Sequence, residues 1–237
     1  MRGTAAEMPP PPPFAGFGPG AFAFLRDLAR EQDRDWFQAN REAYEAELRG
    51  PMASLVAAVS DALVPRRIAL RGDPQRAMFR IQRDIRFSKD KRPYKTHAGA
   101  TLTRDGGKLS SGLLYIHIDP EGCFTAAGFW QPEPAALEAI RRAIAGKPAV
   151  FKRALAALAA KGLPLSPDAD ALKRPPRGYE AVEDPVLREV LRCRSLVVRR
   201  PLPDTGAGLP GAIAEFAADA LPLLQFGWAA IDGRTKA

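Results

Sequence analysis

The chain has 237 residues, a formal net charge of +8 and 46% apolar content, enough to bury a full core, which excludes fully disordered and fibrous classes. Its isoelectric point near 9.8 permits association with nucleic acid, anionic lipid or small phosphorylated ligands, although charge speaks to association and not to fold. No apolar run approaches the roughly 18–20 residues that span a bilayer, no signal-peptide layout opens the chain, and Cys123 and Cys193 form no C-x-x-C or zinc-type spacing, so a reduced, cytoplasmic protein without membrane attachment is expected.

Residues 1–20 hold the run Pro9–Pro13 followed by Gly16, Gly18, Pro19 and Gly20, which disfavours helix and strand pairing alike and reads as a flexible leader. Residues 21–237 read as a single domain. Phe22, Leu25, Leu28 and Ala29 recur at helical spacing, and Trp36, Ala39, Tyr44 and Leu48 form a second apolar stripe after a capping Asp33 or Asp35. Gly50-Pro51 interrupts that run and opens a third helix with Met52, Leu55, Val56, Val59 and Leu63. Trp36, Phe37 and Tyr44 could stack on a base or sugar, but aromatics at helical spacing are more often core, and they are expected there.

At Met78 the period changes from about 3.6 to 2. Phe79, Ile81, Arg83, Ile85 and Phe87 alternate with Met78, Arg80, Gln82, Asp84 and Arg86, predicting a strand over 78–87. Ser88–Pro93 is turn material, and strands are expected over 94–103, 113–119 and 124–130, with turns at 104–108 and 120–122. Helices return at Pro134 and Pro148, the second closed by Gly162. A proline-rich connection over 161–179 carries Lys173, Arg174 and Arg177. Asp184-Pro185 opens a short helix, 195–199 is a late strand, and a last helix runs over 211–224, where Pro222 should kink or end it. The expected fold is α+β, a central antiparallel meander of four strands plus the late strand, packed against N-terminal and C-terminal helices.

The stretch Arg76–His97 dominates the charge. It holds eight Lys and Arg residues against two acids, Asp84 and Asp90, a net of +6 beside the +8 of the whole chain. Arg83 stands out, because an arginine on a core-facing row needs a carboxylate partner or lies at a bulge or sheet end. Two formal motif matches are discounted. Gly206–Gly211 fits G-x-G-x-x-G but follows no strand directly and contains Pro210; Ser88–Lys91 fits S-x-x-K but sits in a turn without the accompanying motifs.

Three functional readings follow. The first is recognition of a small phosphate-bearing ligand or nucleic acid by Arg80, Arg83, Arg86, Lys89, Lys91, Arg92 and Lys95, with Tyr94 and Phe87 for stacking. The second is a hydrolase or transferase. Pairing Phe87 with Tyr94 would set Asp84 opposite His97, and a turn centred on Gly107 would set His97 opposite His117, gathering a carboxylate, two imidazoles, Tyr115 and Asp119 on one polar sheet face. Two histidines and an aspartate could also hold a metal, but the surrounding positive charge opposes a divalent cation, so no metal and no cofactor is expected. The third reading makes the cluster purely structural, with Arg83 saturated by Asp84 or Asp90.

These residues carry a resemblance. Phe22-x-Phe24-Leu25-x-x-Leu28, Arg34-Asp35-Trp36-Phe37 with Arg41 and Tyr44, Pro51-Met52, the run from Arg80 to Thr96, Gly128-x-Trp130-x-Pro132 and Lys173–Gly178 are similar to the family catalogued as domain of unknown function 2461, uncharacterised proteins of bacteria and fungi. The resemblance spans roughly residues 14–203. It supports the element order and the importance of the Arg76–His97 stretch and implies no reaction. The chain departs from the family pattern at Glu31-Gln32-Asp33, where asparagines are usual, and at Glu183-Asp184-Pro185, where the family pattern has a histidine.

Overall fold

The computed structural model describes residues 10–86, 90–108 and 110–235. Five helical pieces come first: α1 (Pro19–Glu31), α2 (Arg34–Ala39), α3 (Arg41–Ala43), a π-helical turn (Tyr44–Arg49) and α4 (Gly50–Leu63). Asp33 caps α2 by accepting the backbone N–H groups of Asp35 and Trp36, both at 2.9 Å. Gly50-Pro51 does not break the helical path as expected. Proline lacks an N–H and its ring crowds the carbonyl four residues back, so the turn ahead of it widens, and Gly50 N–H donates to Glu45 O in a π-type bond. Phe17, inside the expected leader, is buried, and its N–H donates to Thr205 O at 2.9 Å.

The sheet is antiparallel throughout, in the order β1 (Ala98–Thr103), β2 (Leu113–Ile118), β3 (Phe124–Phe129), β4 (Leu196–Pro201). The α+β architecture is as expected, but the strand over 78–87 is not formed in its described part. The segment crosses beside β1 with isolated bridges at Arg71–Thr103, Met78–Ala100 and Gln82–Tyr94. Seven residues from 71 to 78 face three on the partner, and then four from 78 to 82 face six. No continuous ladder survives such changes of register. Asp73-Pro74 starts the disruption, since Asp73 turns the chain by accepting the Gln75 and Arg76 N–H groups. The outer edge of β1 is nevertheless covered, with Phe79 N–H donating to Gly99 O and Thr101 N–H to Ala77 O, which removes an exposed edge.

Between β3 and β4 come α5 (Pro134–Gly146), α6 (Pro148–Ala159) and α7 (Pro185–Arg192), and α8 (Leu209–Thr235) follows β4. One face of the sheet packs on helices: Ala98, Ala100, Leu102, Leu114, Ile116, Ile118, Ala127, Phe129, Leu196 and Val198 are all buried, with α4 against β1 and α8 against β3. α8 continues through Pro222 instead of ending there. Beyond that proline, Leu223, Leu224, Phe226 and Trp228 are buried. Each contributes about 1.5–3 kcal/mol against the roughly 3 kcal/mol that proline costs inside a helix, so packing wins. The expected core aromatics also pack together: Phe24, Trp36, Phe37 and Tyr44 form one cluster.

Candidate functional site

The other face of the sheet stays open. Strand alternation puts Gly99 and Thr101 of β1, Leu113, Tyr115 and His117 of β2, Phe124, Ala126 and Gly128 of β3, and Val197 and Arg199 of β4 on this side. Small residues in the middle make it concave, and a cleft of about 490 Å³ lies over them. Phe79 and Tyr115 bound it on one side, Phe124 and Arg199 on another, and Trp130, Ser166 and Pro167 form the rim. Trp130, just past the end of β3, is 63% exposed. Gly99 makes room for Tyr115, whose hydroxyl would lie 2.6 Å from a Cβ at that position.

Two polar groups of the cleft lack a hydrogen-bonded or charged protein partner among the described residues. The Arg199 guanidinium lies 4.4 Å from the Phe124 ring centroid and has no carboxylate partner among the described residues. Ser166 N–H donates to Val197 O at 2.7 Å, while its Oγ is buried with no hydrogen-bond partner, alone in this among the side-chain atoms of the described residues. Buried polar atoms are nearly always paired, so an orphan in a cleft wall points to a missing partner.

At one end of the cleft, behind Tyr115 and Phe124, stand both histidines. The β1–β2 register pairs Gly99 with His117, so His97 projects diagonally beside His117 on the same face. Their ring centroids are 4.4 Å apart. His117 is wedged against Phe124, also at 4.4 Å, its Nδ1 shares a hydrogen bond of 2.9 Å with the Tyr115 hydroxyl, and its Nε2 lies 3.4 Å from Asp119 Oδ2. The His97 ring has no hydrogen-bond partner among the described residues. Burial, followed by the neighbouring His117, pushes His97 down to about 4; burial lowers His117 as well, opposed by Asp119. Burial also pushes Tyr115 up to about 12. Burial thus disfavours the charged form of both imidazoles. His97, His117 and Asp119 offer three ligand atoms within 4.8 Å of one another, a set able to hold a metal ion.

Asp84 is not part of this group. Gln82 bridges to Tyr94, which carries Asp84 away from His97 to an exposed position. There Arg86 donates to both its oxygens at 2.9 and 2.7 Å, and this pairing holds the carboxyl down to about 2. The other cations of the stretch are mostly occupied locally. Asp90 accepts from Arg83 at 2.6 Å and from Arg92 at 2.7 Å, Lys91 donates to Ile85 O and Lys95 to Arg80 O. Tyr94 is buried and stacked on Phe37 at 4.7 Å. Phe87, Ser88 and Lys89 lie outside the described residues. Arg80 faces a second, polar pocket of about 340 Å³ between the π-helical turn and residues 75–82, shared with Arg41, Arg49 and Lys108.

The sequence reading missed Arg199, Ser166 and Trp130. Arg199 lies within β4, whose alternation, Val197 and Arg199 against Leu196 and Val198, gave a usable signal; Ser166 lies in an irregular connection that gives none.

The family described as conserved hypothetical protein (DUF2461) matches residues 20–226, and the chain belongs to it. No curated protein and no solved structure matches.

Proposed function

We propose that the protein binds a small organic anion in the cleft on the open sheet face, an apolar or aromatic body lying over Ala126 and Gly128 with its anionic group at Arg199. What supports this reading above all is Arg199, a cation without a carboxylate partner among the described residues, laid on an aromatic wall of a concave cleft. A guanidinium held flat on a ring keeps its fork available for a carboxylate or phosphate. Ser166 Oγ would accept or donate the second polar contact, and Trp130 would cover the body from the rim. The reading favours a small ligand over a polyanion, since most described cations of the 76–97 stretch already have local partners.

The test is fluorescence titration with anilinonaphthalene sulfonate, a ring system bearing one anionic group. Native protein should bind it saturably. Arg199→Gln should weaken binding about tenfold, the equivalent of a charge-assisted contact worth about 1.4 kcal/mol, and Trp130→Ala should weaken it as well. Equal affinity in the native protein and both variants would sink the reading. The pocket at Arg80 supports a second anion-binding reading, because Arg41 and Arg80 face it from separate segments with no ion pair among the described residues; Arg41→Ala and Arg80→Ala should then weaken binding of inorganic phosphate and leave the sulfonate probe unaffected.

A further inference from the structure

The geometry points to a divalent transition-metal site formed by His97, His117 and Asp119 at the end of the sheet cleft. Three observations carry it. The ligand atoms come from two adjacent strand ends and already lie within 4.8 Å of one another. The His97 ring faces this group and has no hydrogen-bond partner among the described residues, so its lone pair is uncommitted. His117 is oriented from behind by the Tyr115 hydroxyl at 2.9 Å, the kind of outer hydrogen bond that fixes a metal-binding imidazole.

The donor set decides which ion. Two imidazoles and one carboxylate suit Zn²⁺, Fe²⁺, Co²⁺ or Ni²⁺ far better than Mg²⁺ or Ca²⁺, which demand oxygen. Metal–ligand bonds of about 2.0–2.2 Å put tetrahedral donors about 3.4 Å apart, the distance that already separates His117 Nε2 from Asp119 Oδ2, so the His97 nitrogen is the one that has to draw closer, a movement within reach of side-chain rotation. One carboxylate against a dication leaves the centre positive, and three protein ligands leave it open, as in catalytic rather than structural sites. The nearby cations do not forbid this. Arg83 is paired with Asp90 and Lys95 is tied to the Arg80 carbonyl, while Arg199 lies along Phe124 toward the cleft. Charge near the open coordination position instead favours a fourth ligand that is itself anionic, supplied from the cleft. The site does not depend on the ligand-binding reading, since its three donors are all protein side chains.

The experiment uses full-length protein stripped with a chelator and dialysed. Titration with Co²⁺, followed by its visible absorption, should show one equivalent bound, and competition with Zn²⁺ should bleach the colour. His97→Ala and Asp119→Asn should each lower Co²⁺ affinity by at least about tenfold, and Tyr115→Phe by a smaller factor. Circular dichroism confirms that each variant is folded; should His117→Ala fail to fold, His97→Ala and Asp119→Asn still decide, because neither side chain is fully buried. Absence of stoichiometric binding in folded native protein overturns the site, and so does binding that survives both substitutions. Binding of the sulfonate probe by the stripped protein is measured in parallel, so loss of the metal reading leaves the cleft reading standing, and the reverse.

Discussion

Gly128 sets the shape of the cleft floor through a conformation that side chains rarely adopt. Its φ is +141°, and a Cβ there would meet the Leu196 carbonyl oxygen at 2.1 Å. Gly128→Ala therefore forces β3 and β4 apart, and it is expected to lower stability by about 1–3 kcal/mol and to weaken the sulfonate probe. Urea unfolding and the titration above measure the two effects, and an unchanged unfolding midpoint would contradict this account of the strand contact. Among the site residues, what was legible depended on parity. The expected β1–β2 pairing set His97 against His117, the observed one sets Gly99 against His117, and a shift of two residues keeps every side chain on its face. The histidines therefore meet as the alternation implied. The expected partner of Tyr94 was Phe87 and the observed one is Gln82, an odd displacement of five residues, which removes Asp84 from the histidines and leaves Asp119, also expected on that face, beside them.

The β1–β2 connection shows the same logic at the level of an element. Asp105 closes it by accepting from the Ser110 hydroxyl at 2.6 Å, Thr103 hydroxyl at 2.9 Å and Gly107 N–H at 2.8 Å. These bonds, Ser110 foremost, hold its carboxyl down to about 2, against an unfolded value of about 3.9. Between those values the unfolded chain binds more protons, so the contribution is fully present above about pH 4 and is lost as pH falls through about 2. Asp105→Asn should lower stability at pH 7 by about 1 kcal/mol and flatten the acid side of the stability profile; unfolding midpoints at pH 7 and pH 3 give the comparison, and an acid slope equal to that of the native protein would rule Asp105 out as its source. Helix starts marked by Pro51, Pro134, Pro148 and Pro185 were readable because proline suits the first helical turn. The path of α8 through Pro222 was not readable, since it is decided by burial of Leu223 and Leu224 against partners distant in sequence. The same holds for residues 78–86, whose alternation is that of a strand although Asp73-Pro74 spoils the register.

Over the whole molecule, the α+β class followed from the change of hydrophobic period in mid-chain, and the helix-covered sheet confirms it. Among the described residues no helix is long and apolar enough to cross a membrane. The 76–97 stretch carries a net +6 of the chain's +8, but its Arg83, Arg86 and Arg92 are held in ion pairs with Asp84 and Asp90. Heparin affinity should therefore track total charge. Replacing Lys91 and Arg92 by alanine should shift the eluting salt concentration about as much as replacing Lys173 and Arg174, exposed on the 161–179 connection. A much larger shift for the first pair would restore the hairpin as a dedicated polyanion surface.

The place of β4 and α8 after β1–β3 in chain order has a consequence for how the protein is made. β3 has no outer partner until Leu196–Pro201 is synthesised, and α8, which packs on α4, α5, α6 and β3, is made after all of them. From the completion of β3 at Phe129 until α8 begins at Leu209, the part of the sheet that α8 covers, with Phe129, has to wait uncovered, while α4 is already in place to pack on β1. The nascent chain is thus a natural client for chaperones, and a ribosome stalled before Leu209 would release a product with an exposed apolar sheet face, prone to aggregation and proteolysis.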